Sequence, residues 1–226
     1  MISSKQALLL LMMAAPCWAA PQEVSTATRL APTQPYYPVD TIFIYSDGQV
    51  EKLLEKGGSW YVVEDMRKRR YKRDINFAIP TLEYQSLTSN YRQLISSGDP
   101  DSLFHPSNPK SSSFTVIRSR SDGSELKRNW SCLPPENSKI MVMGKPAKAL
   151  KTTCSRHSWS RLSYNLKEQV ELYYDTENAW VVKTVSHKRG KQRTRRLMAV
   201  LPPDEAKPLT IMRIVRKIRN RRTKRL

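Results

Sequence analysis

Cysteine is the residue type whose number and spacing in this chain point most directly to chemistry. There are three, and Cys17 lies in a segment that we interpret below as a cleaved export signal. Its removal leaves Cys132 and Cys154 as an even pair, which in an oxidising compartment predicts a disulfide. A bridge closing such a loop stabilises a fold by about 3 kcal/mol in the chain-entropy model. A redox or metal role has less support, because there is no Cys-x-x-Cys and His157 stands alone near Cys154.

Residue types that could catalyse hydrolysis are present, but they form no recognisable motif. His105, His157 and His187 lie in different segments, and no Gly-x-Ser-x-Gly occurs. Seven glycines in all leave little scope for phosphate-cradling loops. We therefore predict a protein that acts by binding, with no catalytic residue, cofactor or metal ion. A periplasmic hydrolase is the enzymatic alternative.

Basic residues are in large excess, 39 against 20 acidic ones, which gives a formal net charge of +19 at pH 7. Residues 207–226 hold nine of the basic residues and no acidic residue. Two further basic clusters fall at predicted turns, and together these segments predict a polyanion-binding surface. The alternative for the turns is a solvated hairpin face, with Glu64 and Asp65 balancing the first cluster. The candidate polyanion-binding residues are Arg67, Lys68, Arg69, Arg70, Lys188, Arg189, Arg213, Arg216, Lys217, Arg219, Arg221 and Arg222.

The C-terminal tail, residues 204–226, is predicted to be a basic amphipathic helix. Four apolar residues keep helical spacing after Thr210, which could cap the helix: Ile211, Ile214, Val215 and Ile218. Such a helix suits an anionic membrane surface or an acidic partner, with each basic residue near the surface worth about 1 kcal/mol. The alternative is a solvated, frayed terminus.

The first nineteen residues have the organisation of an export signal. A cationic start reaching Lys5 precedes the apolar run 7–15, and Cys17-Trp18-Ala19 places small residues at the positions that signal peptidase reads. We expect cleavage after Ala19 and a periplasmic protein. Pro16 disfavours the alternative of a lipoprotein modified at Cys17. The apolar run is shorter than the roughly 20 residues that a spanning helix needs.

Export also changes the expected partner. An exported basic surface meets lipopolysaccharide, anionic lipid or cell-wall polymer, so the signal argues against nucleic acid. The partner classes we predict are an envelope protein or an anionic envelope polymer, with peripheral membrane contact through the tail.

Short strands and tight turns dominate the rest of the chain. We predict a Pro/Ser/Thr-rich linker at 20–38 and one β-rich domain at 39–203, with an irregular loop at 96–113. Apolar runs flank Asp47-Gly48 and Asp122-Gly123, and Asp-Gly between such runs is a strong hairpin signal. Further strands are predicted at 147–157, 169–174, 180–187 and 193–200.

These patterns predict a mainly β fold, an antiparallel sheet of hairpins that is open or half-barrel-like. Few short helices are expected, one from Thr88 to Ser96 and the C-terminal basic helix. Large aromatic residues are predicted to form the core: Trp60, Tyr61, Trp130, Trp159, Tyr173, Tyr174 and Trp180.

One resemblance accompanies these patterns. Trp130-Ser131-Cys132, a segment 147–154 that ends in cysteine, and Tyr173-Tyr174-Asp175 followed by the strand from Trp180 resemble uncharacterised bacterial exported proteins with a paired-cysteine, β-rich domain. The resemblance covers residues 114–200, although Ala149-Leu150 stands where we associate an Ala-Gly pair with that pattern. It implies a β-rich periplasmic domain and carries over no catalytic residue.

Overall fold

The computed structural model describes residues 37–74, 81–104, 110–160 and 163–223. The predicted signal segment and residues 20–36 of the predicted linker lie outside them. Tyr37, which belongs to that linker, packs edge-on against Phe43 and Trp180 with ring centroids 5.1 Å and 5.8 Å apart. In the described ranges, no helix has the length and apolarity needed to cross a membrane.

Strands account for most of the described chain. The first half contains β1 (Ile42–Tyr45), β2 (Val50–Lys56), β3 (Trp60–Asp65), β4 (Arg70–Asp74), β5 (Glu83–Gln85) and β6 (Asn90–Ser97). The second half contains β7 (Ser112–Arg120), β8 (Glu125–Cys132), β9 (Glu136–Val142), β10 (Lys145–Ser160), β11 (Ser163–Asp175), β12 (Trp180–Lys188) and β13 (Lys191–Leu201). A short 3-10 helix (Pro100–Phe104) and one α-helix, α1 (Pro208–Thr223), complete the described elements.

The two Ser-Asp-Gly sequences make matching hairpin turns, as predicted. In each turn the aspartate accepts a hydrogen bond from the backbone N–H two residues on, at 3.1 Å for Asp47 and 2.8 Å for Asp122. The glycine that follows has a positive φ, 80° at Gly48 and 79° at Gly123. Glycine adopts this conformation without steric cost, so the sequence sets both turns locally.

The antiparallel sheet closes into a barrel of twelve strands, and the expectation of an open or half-barrel sheet is therefore wrong. Closure depends on β10, which has 16 residues and pairs with β11 along one edge. Its other edge pairs with β9 over the first part of the strand and with β8 over the last part. β9 thus stays outside the ring as an added strand. A sequence pattern predicts where strands occur. It does not show that one long strand pairs with several others.

The predicted disulfide is present and lies at this closure. Cys132 and Cys154 are directly opposite each other on β8 and β10, with Cα atoms 4.0 Å apart. Their pair is the first of only four that join the two strands. The bridge therefore covalently links two strands that are neighbours in the ring but not consecutive in the chain.

The helix predicted from Thr88 to Ser96 is wrong, because this segment forms β6. Backbone pairing with β5 on one side and β7 on the other overrides the helical spacing of Tyr91, Leu94 and Ile95. Gln93 is the buried residue of the strand, 3% exposed, and its Nε2 donates to the carbonyl oxygen of Thr81. The helical spacing of these apolar residues therefore does not correspond to the way the segment packs.

The C-terminal helix is present, and it packs on the outer face of the barrel. Its predicted apolar stripe contacts a matching patch of β1, β2 and β13, formed by Ile42, Ile44, Val50 and Leu201. The helix begins at Pro208, so the predicted cap at Thr210 is wrong. Proline is favoured in the first turn of a helix because its φ is already helical and its missing N–H is not needed there.

Most of the predicted aromatic core is confirmed. Five of the seven residues are buried: Tyr61, Trp130, Tyr173, Tyr174 and Trp180. Trp180 is the centre of this core and stacks on Phe43 with ring centroids 4.0 Å apart. Trp60 is only partly buried, beneath the ammonium group of Lys72, so its core assignment is wrong. The side chain of Trp159 lies outside the described part of the structure.

A buried carboxylate pairs with two arginines that point into the barrel. Glu51 is 1% exposed, accepts two hydrogen bonds from Arg73 at 2.8 and 2.9 Å, and forms an ion pair with Arg195 at 2.8 Å. Tyr45 donates to the same carboxylate at 3.2 Å. Burial alone raises the pKa of Glu51, but the charges of Arg73 and Arg195 outweigh it and hold the pKa well below its ordinary 4.5.

Replacing the buried carboxylate should destabilise the barrel strongly. We expect Glu51→Gln to lower the free energy of unfolding at pH 7 by about 3–5 kcal/mol, because two buried cations lose their anion. The folded-state pKa of Glu51 is depressed, so its contribution is complete above pH 4.5 and is lost as the pH falls below that value. Denaturant unfolding from pH 7 to pH 3 should show this loss in the wild type and a flatter profile in the variant. Glu55→Gln, at an exposed position of β2, is the control; equal effects would contradict the assignment.

Removing the disulfide should weaken the barrel without changing its hairpins. We expect Cys132→Ala/Cys154→Ala to lose about 3 kcal/mol of unfolding free energy, because the unfolded chain regains the entropy that the bridge removes. Reductant should lower the urea midpoint of the wild type and leave that of the double variant unchanged. Equal midpoints for oxidised and reduced wild type would contradict a stabilising bridge.

Candidate functional site

The first predicted basic cluster, Arg67 to Arg70 between β3 and β4, is partly neutralised by its neighbours. Lys68 and Arg70 form ion pairs with Glu64 at 3.0 and 3.2 Å, and Arg69 pairs with Asp65. The charge balance predicted for Glu64 and Asp65 is therefore confirmed. Arg67 is exposed and forms no ion pair with a described residue. The two carboxylates therefore cancel half of the four positive charges at this turn.

The second cluster, at the turn between β12 and β13, keeps its charge. Lys188 and Arg189 are exposed, and neither forms an ion pair within the described ranges. Arg189 has a φ of 51°, and Gly190, next in the turn, has a φ of 71°. The turn therefore presents two positively charged side chains to solvent.

The exposed face of α1 carries the largest unpaired positive charge. It consists of five exposed basic residues that have no ion pair with any described residue: Arg213, Arg216, Lys217, Arg219 and Arg221. The side chain of Arg222 lies outside the described part. Leu209 and Met212 lie on the same helix and are 77% and 58% exposed. We call this surface, residues 209–221 without the buried apolar stripe, the helix face.

All three basic segments reach the same end of the barrel. Neighbouring strands of the ring are antiparallel, so the turns β1–β2, β3–β4 and β12–β13 lie at the same end. Arg219 lies against Gly48 in the β1–β2 turn, which brings the last turns of α1 to that end as well. Segments that are far apart in the sequence therefore lie at the same end of the barrel, although the first of them is partly neutralised.

The barrel interior holds a second concentration of arginine that the sequence analysis missed. A cavity of about 350 Å³ is lined by residues from most of the strands, including Arg118, Arg128 and Trp130. Arg118, Arg128 and Arg156 lie in a diagonal row across β7, β8 and β10, and Glu168 of β11 is directly opposite Arg156. A row of cations with one carboxylate can bind an anion.

A period of two could have identified these interior arginines. Arg118 continues the inward face of β7 after Phe114 and Val116, which are both buried. Arg128 precedes the buried Trp130 and Cys132 on β8 by the same spacing. Side chains of a strand alternate between its two faces, so both arginines continue an apolar series into the barrel.

The histidines are dispersed in the fold. His157 pairs across β10 with Asn129, His187 lies in β12, and His105 falls outside the described residues. Where the structure is described, no group of three or more His, Cys, Asp or Glu side chains could hold a metal ion.

The molecule belongs to the class of closed antiparallel barrels, with a disulfide and an arginine-rich interior. No family model matches the chain, and no curated protein matches it either. A hypothetical lipoprotein, YmcC from Escherichia coli, is 11% identical, with a TM-score of 0.48 over 73% of this chain and 86% of YmcC. An exported protein from Bacteroides fragilis with a YmcC-like fold is also 11% identical, with a TM-score of 0.36 over 73% of this chain and 97% of that protein.

The predicted resemblance to bacterial exported proteins is confirmed as a weak structural resemblance. Likeness at this level adds nothing about function. The function must be inferred from the surfaces described above.

Proposed function

We propose that this protein is an exported accessory protein of the bacterial cell envelope, that it acts by binding, and that the helix face is its docking surface for anionic envelope components. The observation that carries the proposal is the set of unpaired cations on a helix whose apolar stripe is already buried against the barrel. The predicted export signal and the disulfide support the compartment.

Burial of the apolar stripe decides how the helix face can interact. A free amphipathic helix would insert its apolar side into a membrane, but here that side covers β1, β2 and β13. The exposed face is left with its cations and with Leu209 and Met212. Attraction to phosphate groups of lipid or lipopolysaccharide is therefore electrostatic, with a small apolar contribution near the start of the helix.

The charge balance favours α1 over the β3–β4 turn as the docking surface. In that turn, Glu64 and Asp65 already hold three of the four cations. Surface ion pairs contribute little to stability, but they cancel the field that an anionic ligand would meet. The exposed cations of the β12–β13 turn, at the same end of the barrel, add to the field of the helix.

Neutralising the helix face should weaken binding in a salt-dependent way. We expect Arg213→Gln/Lys217→Gln to bind vesicles of phosphatidylglycerol and phosphatidylethanolamine about 30-fold more weakly, since two surface cations contribute about 2 kcal/mol. Co-sedimentation at two salt concentrations measures this, and added salt should reduce wild-type binding.

A matched control removes the same charge elsewhere. Arg120→Gln/Lys127→Gln also loses one arginine and one lysine, both exposed, on β7 and β8 across the ring from β1. We expect this control to retain most of the binding. Equal losses in the two double variants would mean that only total charge matters, and would sink the assignment to the helix face.

A further inference from the structure

The three arginines of the interior row have less compensating negative charge than the other pair of interior arginines, Arg73 and Arg195. Glu51 pairs with both Arg73 and Arg195, so two cations surround one carboxylate there. In the row, Glu168 is engaged by Arg156, with both contacts at 3.1 Å. Neither Arg118 nor Arg128 forms an ion pair with a carboxylate of a described residue. The interior therefore holds two cations that form no ion pair with a described residue.

Arg128 is the least satisfied of the three. Its Nε is buried and has no hydrogen-bond partner among the described residues. Arg118, by contrast, donates to Gln93 Oε1 at 3.2 Å and stacks on the ring of Tyr91 at 3.8 Å. Burial, together with the charges of Arg118 and Arg156, lowers the pKa of Arg128 from 12.5 to about 10. The guanidinium stays protonated at neutral pH and experiences repulsion from its neighbours.

A second unsatisfied donor lies beside Arg128. Trp130, two residues along the same strand, is 5% exposed, and its Nε1 also lacks a partner within the described ranges. Both residues line the cavity. Buried donors are nearly always paired in folded proteins, so two orphan donors and an excess of cations at one cavity indicate a missing acceptor. The row also has a geometric basis, because diagonal neighbours on adjacent strands lie within reach of long side chains.

We propose that the cavity of the barrel is a binding site for an oxyanion of the phosphate class, held by Arg118 and Arg128. Guanidinium groups bind tetrahedral oxyanions through paired, charge-assisted hydrogen bonds, which supplies what Arg128 lacks. The volume is within the range of small-ligand pockets, roughly 300–1,000 Å³. The anion is free phosphate or a phosphate substituent of an envelope molecule, and this site is separate from the helix face.

Titration of the purified protein with inorganic phosphate, against chloride at equal ionic strength, tests this site. We expect phosphate to raise the thermal midpoint by about 2–4 °C at saturation, because it binds only the folded state. Calorimetry should show Arg128→Met to bind phosphate about 10–100-fold more weakly. Without phosphate, the same variant should have a higher midpoint than the wild type, since it relieves repulsion. A purely structural arginine would give the opposite sign.

Two further variants keep the result interpretable. Arg189→Met, at an exposed turn, removes one charge and should leave phosphate affinity unchanged. Arg128→Lys retains the charge but loses the planar fork, so it should fold and still bind more weakly. No stabilisation by phosphate beyond chloride, or wild-type affinity in both Arg128 variants, would overturn the proposal.

The source of the phosphate is tested separately from the helix face. Short-chain phosphatidylglycerol below its micelle concentration should displace phosphate if the natural ligand is a lipid headgroup, and should have no effect if it is a free anion. Both results support the phosphate site, and the difference between them identifies the source of the phosphate. Arg213→Gln/Lys217→Gln should bind phosphate like the wild type, so failure of the docking proposal would leave this measurement unaffected.

Discussion

The pairing of β8 with β10, linked by Cys132 and Cys154, is the contact on which the rest of the barrel depends. Other neighbours in the ring are consecutive strands, apart from β1 and β13, which are also joined by four residue pairs. At the β8–β10 seam, β9 intervenes in the chain and only four residue pairs hold the strands together. Without this pairing the sheet would be open, and Arg118, Arg128 and Arg156 would be ordinary surface residues. Closure gives the protein an interior and makes the charge inside it matter.

The barrel distributes its excess positive charge in three ways. Some cations are cancelled locally, as Arg69 is by Asp65, and some are buried around a carboxylate, as Arg73 and Arg195 are around Glu51. The remainder includes the exposed cations of α1 and of the β12–β13 turn, together with Arg118 and Arg128 in the interior. These remaining cations have no carboxylate partner among the described residues. Both proposed anion-binding sites are formed from them.

Local features of the fold could be predicted from the sequence, and long-range ones could not. The Asp-Gly turns, the cysteine pair and the apolar stripe of α1 depend on neighbouring residues, and all three are confirmed. Closure of the ring depends on β10 reaching β8 beyond β9, which no local pattern encodes. The error at β6 has the same origin, since pairing with β5 and β7 decides that segment. For the candidate site, the sequence predicted the cations of α1, whereas it gave no role to Arg118 and Arg128, whose place inside the barrel depends on closure of the ring.

The most direct test is to observe the Arg128 side chain by nuclear magnetic resonance during a phosphate titration. In a closed barrel we expect its Nε–H signal to exchange slowly with solvent and to shift saturably as phosphate binds, together with that of Arg118. The exposed Arg189 should show neither behaviour. Rapid solvent exchange at Arg128 with no response to phosphate would contradict a closed, anion-binding interior.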